Sequence, residues 1–153
     1  MKKLFLVVLV VCFAVRAQDA KPNFSGTWEL QVDKSDFGPL PAPQAQTTIV
    51  DHKEPNLKVT ITAKTQQGER TSVRNLTTDG QENTNTVGAT TIRSKTRWVE
   101  KELVTEATFE AQAGKIQTKD RWQLSDEGKT FTIDRTLSSE MGEATQKWVY
   151  SKK

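Results

Sequence analysis

The chain has 153 residues, 22 of them basic and 19 acidic, with 35% hydrophobic residues and a single cysteine. The positive excess and 14 of the hydrophobic residues fall within residues 1–17; the remaining 136 residues carry 19 basic and 19 acidic side chains and are about 29% hydrophobic. A neutral body has no charge excess with which to hold a polyanion, so nucleic acid is not an expected partner.

Residues 1–17 open with Lys2 and Lys3, continue in an uncharged apolar run to Val15, and end Val15-Arg16-Ala17. Small residues at positions −3 and −1 of a cut after Ala17 complete the layout of a secretory signal peptide. The run is too short to span a bilayer comfortably. The expected organisation is therefore a signal peptide over 1–17, a polar lead-in over 18–23 and one folded domain over 24–152. The expected location is periplasmic or secreted, with no stable membrane insertion after cleavage. Cys12 leaves with the leader, which excludes disulfides, thiol catalysis and cysteine-ligated metals from the mature chain. His52 is the only histidine, and its turn, Asp51-His52-Lys53-Glu54-Pro55, reads as surface. Neither a metal nor another cofactor is expected.

From Phe24 onward the period is two. Trp28, Leu30 and Val32 alternate with polar residues, as do Leu57, Val59, Ile61 and Ala63, and later Leu103, Thr105, Ala107, Phe109 and Ala111. Gly-centred turn signals separate the runs. The 21 threonines suit a pleated, half-wet surface. Ten strands are expected, near 26–33, 45–52, 56–65, 69–77, 81–87, 89–99, 102–111, 115–124, 129–138 and 143–151. The fifth is the weakest, since residues 81–86 are wholly polar. Between the first two strands, Phe37-Gly38-Pro39-Leu40-Pro41-Ala42-Pro43 fits neither strand interior nor helix, because proline lacks the donor and constrains its predecessor.

A sheet with one apolar face must cover it, and no amphipathic helix is available to do so. Closing the sheet on itself meets the requirement and removes its edges. The expected fold class is all-β: a single antiparallel up-and-down β-barrel of 8–10 strands. A barrel of that size holds side chains plus one small ligand.

Phe24-Ser25-Gly26-Thr27-Trp28-Glu29-Leu30 opening such a meander resembles the first strand of the lipocalins and fatty-acid-binding proteins, the calycin group, which begins with Gly-x-Trp after an apolar residue. The closing strand Lys147-Trp148-Val149-Tyr150-Ser151-Lys152 is similar as well. More narrowly, the chain resembles small secreted bacterial lipocalin-like domains. Two departures stand out. The 13 residues 34–46 cannot hold the two helices of the fatty-acid-binding lid. The Arg-x-Tyr clamp on the last strand of that family is also incomplete, because Trp148 stands two residues before Tyr150. The resemblance therefore implies the barrel without its helical lid, and does not carry over a fatty acid.

Alternation assigns the faces. Ile116, Thr118, Asp120, Trp122 and Leu124 point inward on the eighth strand; Phe131, Ile133, Arg135 and Leu137 do so on the ninth. Ile92, Ser94, Thr96 and Trp98 share the inner face of the sixth, and Ala144, Gln146, Trp148 and Tyr150 that of the last. An interior holding Asp120, Arg135, Gln146, Ser94, Thr96, Thr105 and Thr118 must pair internally or hold water and a ligand. Strand parity puts Trp28, Trp98, Trp122 and Trp148 at one end, the expected barrel floor. The Pro-rich segment and the turns at Gly68, Gln112-Ala113-Gly114 and Gly142 then form the mouth.

Two functional readings remain open. In the first, the barrel binds or carries a small amphipathic or hydrophobic ligand, anionic or not, without catalysis. For an anionic ligand, Arg135 meets the head group and Asp120 orients it, while Leu57, Ile61, Thr105, Phe109, Ile133 and Gln146 line the chamber. In the second, Asp120 and Arg135 are a buried ion pair in a filled barrel, which acts as an extracytoplasmic interaction module for a protein partner the sequence does not name. An enzyme is not expected: no serine is placed beside His52, and Asp126 and Glu127 lie in a solvated turn.

Overall fold

The computed structural model describes residues 20–111 and 114–153. The expected leader lies outside them, as do Gln112 and Ala113 of the expected mouth. Ten antiparallel strands form one sheet. They are β1 (Gly26–Leu30), β2 (Ala45–Lys53), β3 (Asn56–Thr65), β4 (Gly68–Thr77) and β5 (Asp79–Val87), followed by β6 (Thr90–Val99), β7 (Glu102–Ala111), β8 (Gly114–Leu124), β9 (Thr130–Ser139) and β10 (Gly142–Lys152). Each described strand begins and ends within three residues of its expected bounds. Among the described residues the one helical element is a single 3-10 turn, Val32–Lys34.

The strand order is β4-β3-β2-β1-β10-β9-β8-β7-β6-β5, with β1 pairing with both β2 and β10. The sheet therefore ends at β4 and β5, and the barrel closes where those two edges meet. Side chains close it in place of a backbone ladder. Asn85 Oδ1 accepts the Asn75 N–H at 2.7 Å, and Asn85 Nδ2 donates to the Asn75 carbonyl at 3.0 Å. Asn83 Oδ1 accepts the Thr77 N–H at 2.8 Å. An asparagine amide carries the same donor and acceptor as a peptide group, so it can stand in for the missing backbone partner. The polarity of the fifth strand is the chemistry of this seam.

One end of the barrel is packed solid. Phe24, Trp28 and Phe131 are fully buried, with Trp122 beside them. The Trp28 and Trp122 rings lie 5.5 and 5.1 Å from that of Phe131, and the Phe24 ring lies 6.2 Å from Trp98. Trp28 Nε1 donates to the Phe24 carbonyl at 2.9 Å, which ties the lead-in to β1. Three of the four expected floor tryptophans thus meet at this end.

Trp148 does not. Trp28 pairs with Lys152, four residues further along β10 than Trp148. Strands in a barrel are staggered, so being near the same end of a strand does not mean standing at the same height. Trp148 packs edge-on against Phe37, 4.9 Å between centroids.

His52 also departs from expectation, at 4% exposure. It follows Thr48 and Val50 in the inward phase of β2, and Phe24 lies over it, 6.2 Å between ring centroids. Its Nδ1 accepts the Phe24 N–H at 3.3 Å, and its Nε2 lies 3.0 Å from Glu54 Oε1.

At the opposite end, residues 31–44 follow β10 upward and then cross the opening. Asp36 and Lys147 exchange two backbone hydrogen bonds of 2.7 Å. Gln146 Nε2 donates to the Phe37 carbonyl at 2.8 Å. Gly38 has φ +57°, and a Cβ there would stand 2.7 Å from the Thr145 carbonyl oxygen, so only glycine lets the chain turn this close to β10. The segment rejoins the sheet where the Gln44 N–H donates to the Lys64 carbonyl at 2.8 Å. This Pro-rich strap occupies the place of a helical lid.

Candidate functional site

Above the floor the barrel contains a chamber of about 220 Å³. Of the expected ligand residues, Arg135, Asp120, Thr105, Ile133 and Ile61 line it. Phe109 lies higher, on a second space of about 290 Å³ under the strap, together with Leu40, Val87, Ile92 and Leu137. Arg74, Ile92, Ala107, Thr118 and Arg135 border both spaces, so the two are stacked along the barrel. Leu57 is not a chamber residue; at 1% exposure it belongs to the packed core. Gln146 is fully engaged elsewhere, by Phe37 through Nε2 and by Trp148 Nε1, which donates to its Oε1 at 3.2 Å. It anchors the strap.

Asp120 and Arg135 are direct cross-strand partners in the β8–β9 register. Arg135 Nε donates to Asp120 Oδ1 at 2.7 Å and its Nη2 to Oδ2 at 2.6 Å. This is the bidentate geometry in which guanidinium and carboxylate match best. Burial works against the Arg135 charge, but the Asp120 charge and hydrogen bonds outweigh it and raise the guanidinium pKa. The Arg135 guanidinium also sits 5.7 Å from the Trp148 ring centroid. Both Asp120 oxygens are thus engaged by one arginine.

A second arginine then becomes the chemically open group. Arg74 on β4 lines the chamber, and its Nε is buried with no hydrogen-bond partner. It makes no ion pair among the described residues. Burial lowers its pKa and the Arg135 charge lowers it further, with partial relief from Asp120. Two guanidinium groups thus share one aspartate, which leaves the chamber positive. A buried arginine charge is costly until something anionic meets it. The sequence carries a signal for Arg74: Leu76 is buried on β4, and period two puts Arg74 and Ser72 on the same face.

Tyr150 completes one wall. Its hydroxyl accepts a hydrogen bond from Gln46 Nε2 at 2.8 Å, and its ring stacks on Phe131 at 5.1 Å. Burial pushes its pKa well above the usual phenol range, against the pull of Arg135, so it remains a neutral hydroxyl. Thr105, which lines the chamber, shares a 2.9 Å hydrogen bond with the fully buried Thr96. The arrangement offers donors, neutral hydroxyls and one uncommitted cation.

Comparison with known proteins finds no matching family model and no matching curated protein. Solved structures do match. An abundant heat soluble (SAHS) protein from Ramazzottius varieornatus is 16% identical, covering 84% of this chain and 94% of that one, with a TM-score of 0.64. The zebrafish ileal bile acid-binding protein, complexed with cholic acid, is 16% identical over 85% of this chain and 98% of that one, with a TM-score of 0.54. A fatty-acid-binding protein from Manduca sexta is 14% identical, covering 84% and 99%, with a TM-score of 0.49. The fold is that of the calycin group. Identities this low speak for the fold alone.

Proposed function

We propose that this chain is a non-catalytic carrier of a small anionic amphiphile, held in the barrel with its charged head at Arg74 and its apolar part under the strap. The observation that carries this reading is the buried, unpartnered Arg74 Nε on a chamber of about 220 Å³. The space above it supports the placement of the tail, since Leu40, Val87, Ile92, Phe109 and Leu137 give it apolar walls. Arg135, satisfied by Asp120, serves as a fixed positive neighbour. The head-group role expected of Arg135 passes to Arg74. Binding of cholic acid by a barrel of the same fold is in keeping with such a role. Secretion is part of the proposal and rests on the leader pattern over residues 1–17.

The test is displacement of the fluorescent anion anilinonaphthalene sulfonate by decanoate. Wild type should bind the probe saturably and release it to decanoate, and Arg74→Met should lose at least tenfold in affinity for both while keeping its melting transition. A filled barrel that docks a protein partner is the second reading, favoured by Ile49 and Val73, which are 49% and 40% exposed on the outer face and lie either side of Thr60 in the register. Absence of saturable probe binding would favour that reading.

A further inference from the structure

The four indole N–H groups separate into two kinds. Trp28 donates to the Phe24 carbonyl, Trp98 to Glu54 and Trp148 to Gln146. Trp122 Nε1 is buried and has no partner among the described residues. Trp122 lines the chamber, and so does Ser94, whose Oγ is likewise buried and unpartnered. With Arg74 Nε and Thr48 Oγ1, four orphan polar atoms, from β2, β4, β6 and β8, border one chamber.

Their chemistry is asymmetric. Indole and guanidinium N–H groups donate only, and a serine hydroxyl can do either. A buried donor left without an acceptor costs about as much as a lost hydrogen bond. A plain fatty acid carries both its oxygens in one carboxylate. With that carboxylate at Arg74 and the tail under the strap, Trp122 Nε1 and Ser94 Oγ stay without an acceptor. A ligand with a second oxygen removes the conflict.

Size constrains it too. An apolar cavity of roughly 150 Å³ takes a benzene ring, so a chamber of about 220 Å³ accommodates about nine non-hydrogen atoms on the same scale. That is a head group and a few carbons, with any longer tail continuing into the upper space.

Building on the carrier reading, we infer that the chamber selects acids bearing a second oxygen, with the carboxylate at Arg74 and a hydroxyl or carbonyl oxygen accepting from Trp122 Nε1 beside Ser94. The ligand class is a hydroxy- or oxo-carboxylic acid, in preference to the simple acid of equal length.

The experiment compares decanoate with decanoates carrying one hydroxyl at each of the first few carbons beyond the carboxylate, as competitors for anilinonaphthalene sulfonate. At least one hydroxydecanoate should bind wild type about tenfold more tightly than decanoate, the worth of one added buried hydrogen bond. Trp122→Phe, which removes the N–H and keeps an aromatic ring, should erase that preference, bringing the hydroxydecanoate and decanoate affinities within about twofold of each other. Should Trp122→Phe fail to fold, the wild-type series still decides. Equal affinity of every hydroxydecanoate and decanoate, or a preference that survives Trp122→Phe, overturns the inference and leaves the carrier reading intact. Failure of every acid to displace the probe removes the carrier reading, and this inference with it.

Discussion

The floor and the chamber of this barrel are built by the same rule and finished differently. Both present alternate residues of the same strands inward. At the floor Glu54 gathers its polar neighbours: it accepts from Trp98 Nε1 at 2.7 Å and from Thr78 Oγ1, and lies 3.0 Å from His52 Nε2. Where the floor meets the chamber Trp122 keeps a buried polar atom without a partner, and so do Thr48, Arg74 and Ser94 on the chamber wall. In a barrel serving only its own stability, such atoms would each cost about 1–3 kcal/mol for nothing in return. The contrast teaches where stability is built and where a ligand would supply the missing contacts.

The contrast can be broken most severely at the floor. Trp28→Ala removes a fully buried indole and should cost about 3–5 kcal/mol of stability, read by denaturant unfolding. The Asp120–Arg135 pair sits inside the chamber yet behaves as a floor element, because its hydrogen bonds are internally satisfied. Asp120→Leu strands the Arg135 charge and should cost a similar 3–5 kcal/mol, and Asp120→Leu with Arg135→Met should recover much of that loss. A double variant as unstable as the single one would contradict the pairing.

Much of this molecule is legible in its sequence, and the failures have physical causes. Alternation located all ten strands, because each keeps one face inward and one outward. It also put Asp120 beside Arg135, since a two-strand hairpin fixes register locally. It could not place Trp148, because the stagger around the barrel is a property of all ten strands together. His52 read as surface because its turn is polar, whereas its burial depends on Phe24 folding back over it. The weak fifth strand was visible as wholly polar, but the pairing of Asn83 and Asn85 with the backbone of β4 requires the closure itself. Arg74 was within reach of the pattern through Leu76; nothing local distinguishes it from an exposed strand arginine.

A smaller effect sharpens the floor side of the comparison. Partial burial pushes the Glu54 pKa up, but hydrogen bonds from Thr78, Trp98 and His52 bring it below its ordinary value. A carboxylate whose folded pKa is depressed stabilises the fold above the ordinary glutamate range, and that contribution disappears as pH falls through the folded value. Thermal melts taken from about pH 6 to about pH 3, spanning the glutamate range, should therefore show a drop in stability that is shallower in Glu54→Gln. Identical slopes would place the acid sensitivity elsewhere.

On the carrier proposal Arg74, and not Arg135, is the cation that meets the ligand. Side-chain NMR of the two Nε–H groups during a decanoate titration tests it most directly. A saturable shift and slowed solvent exchange are expected at Arg74 Nε, with Arg135 Nε, already bonded to Asp120 Oδ1, nearly unmoved. Saturable binding that shifts Arg135 and leaves Arg74 unchanged would contradict it.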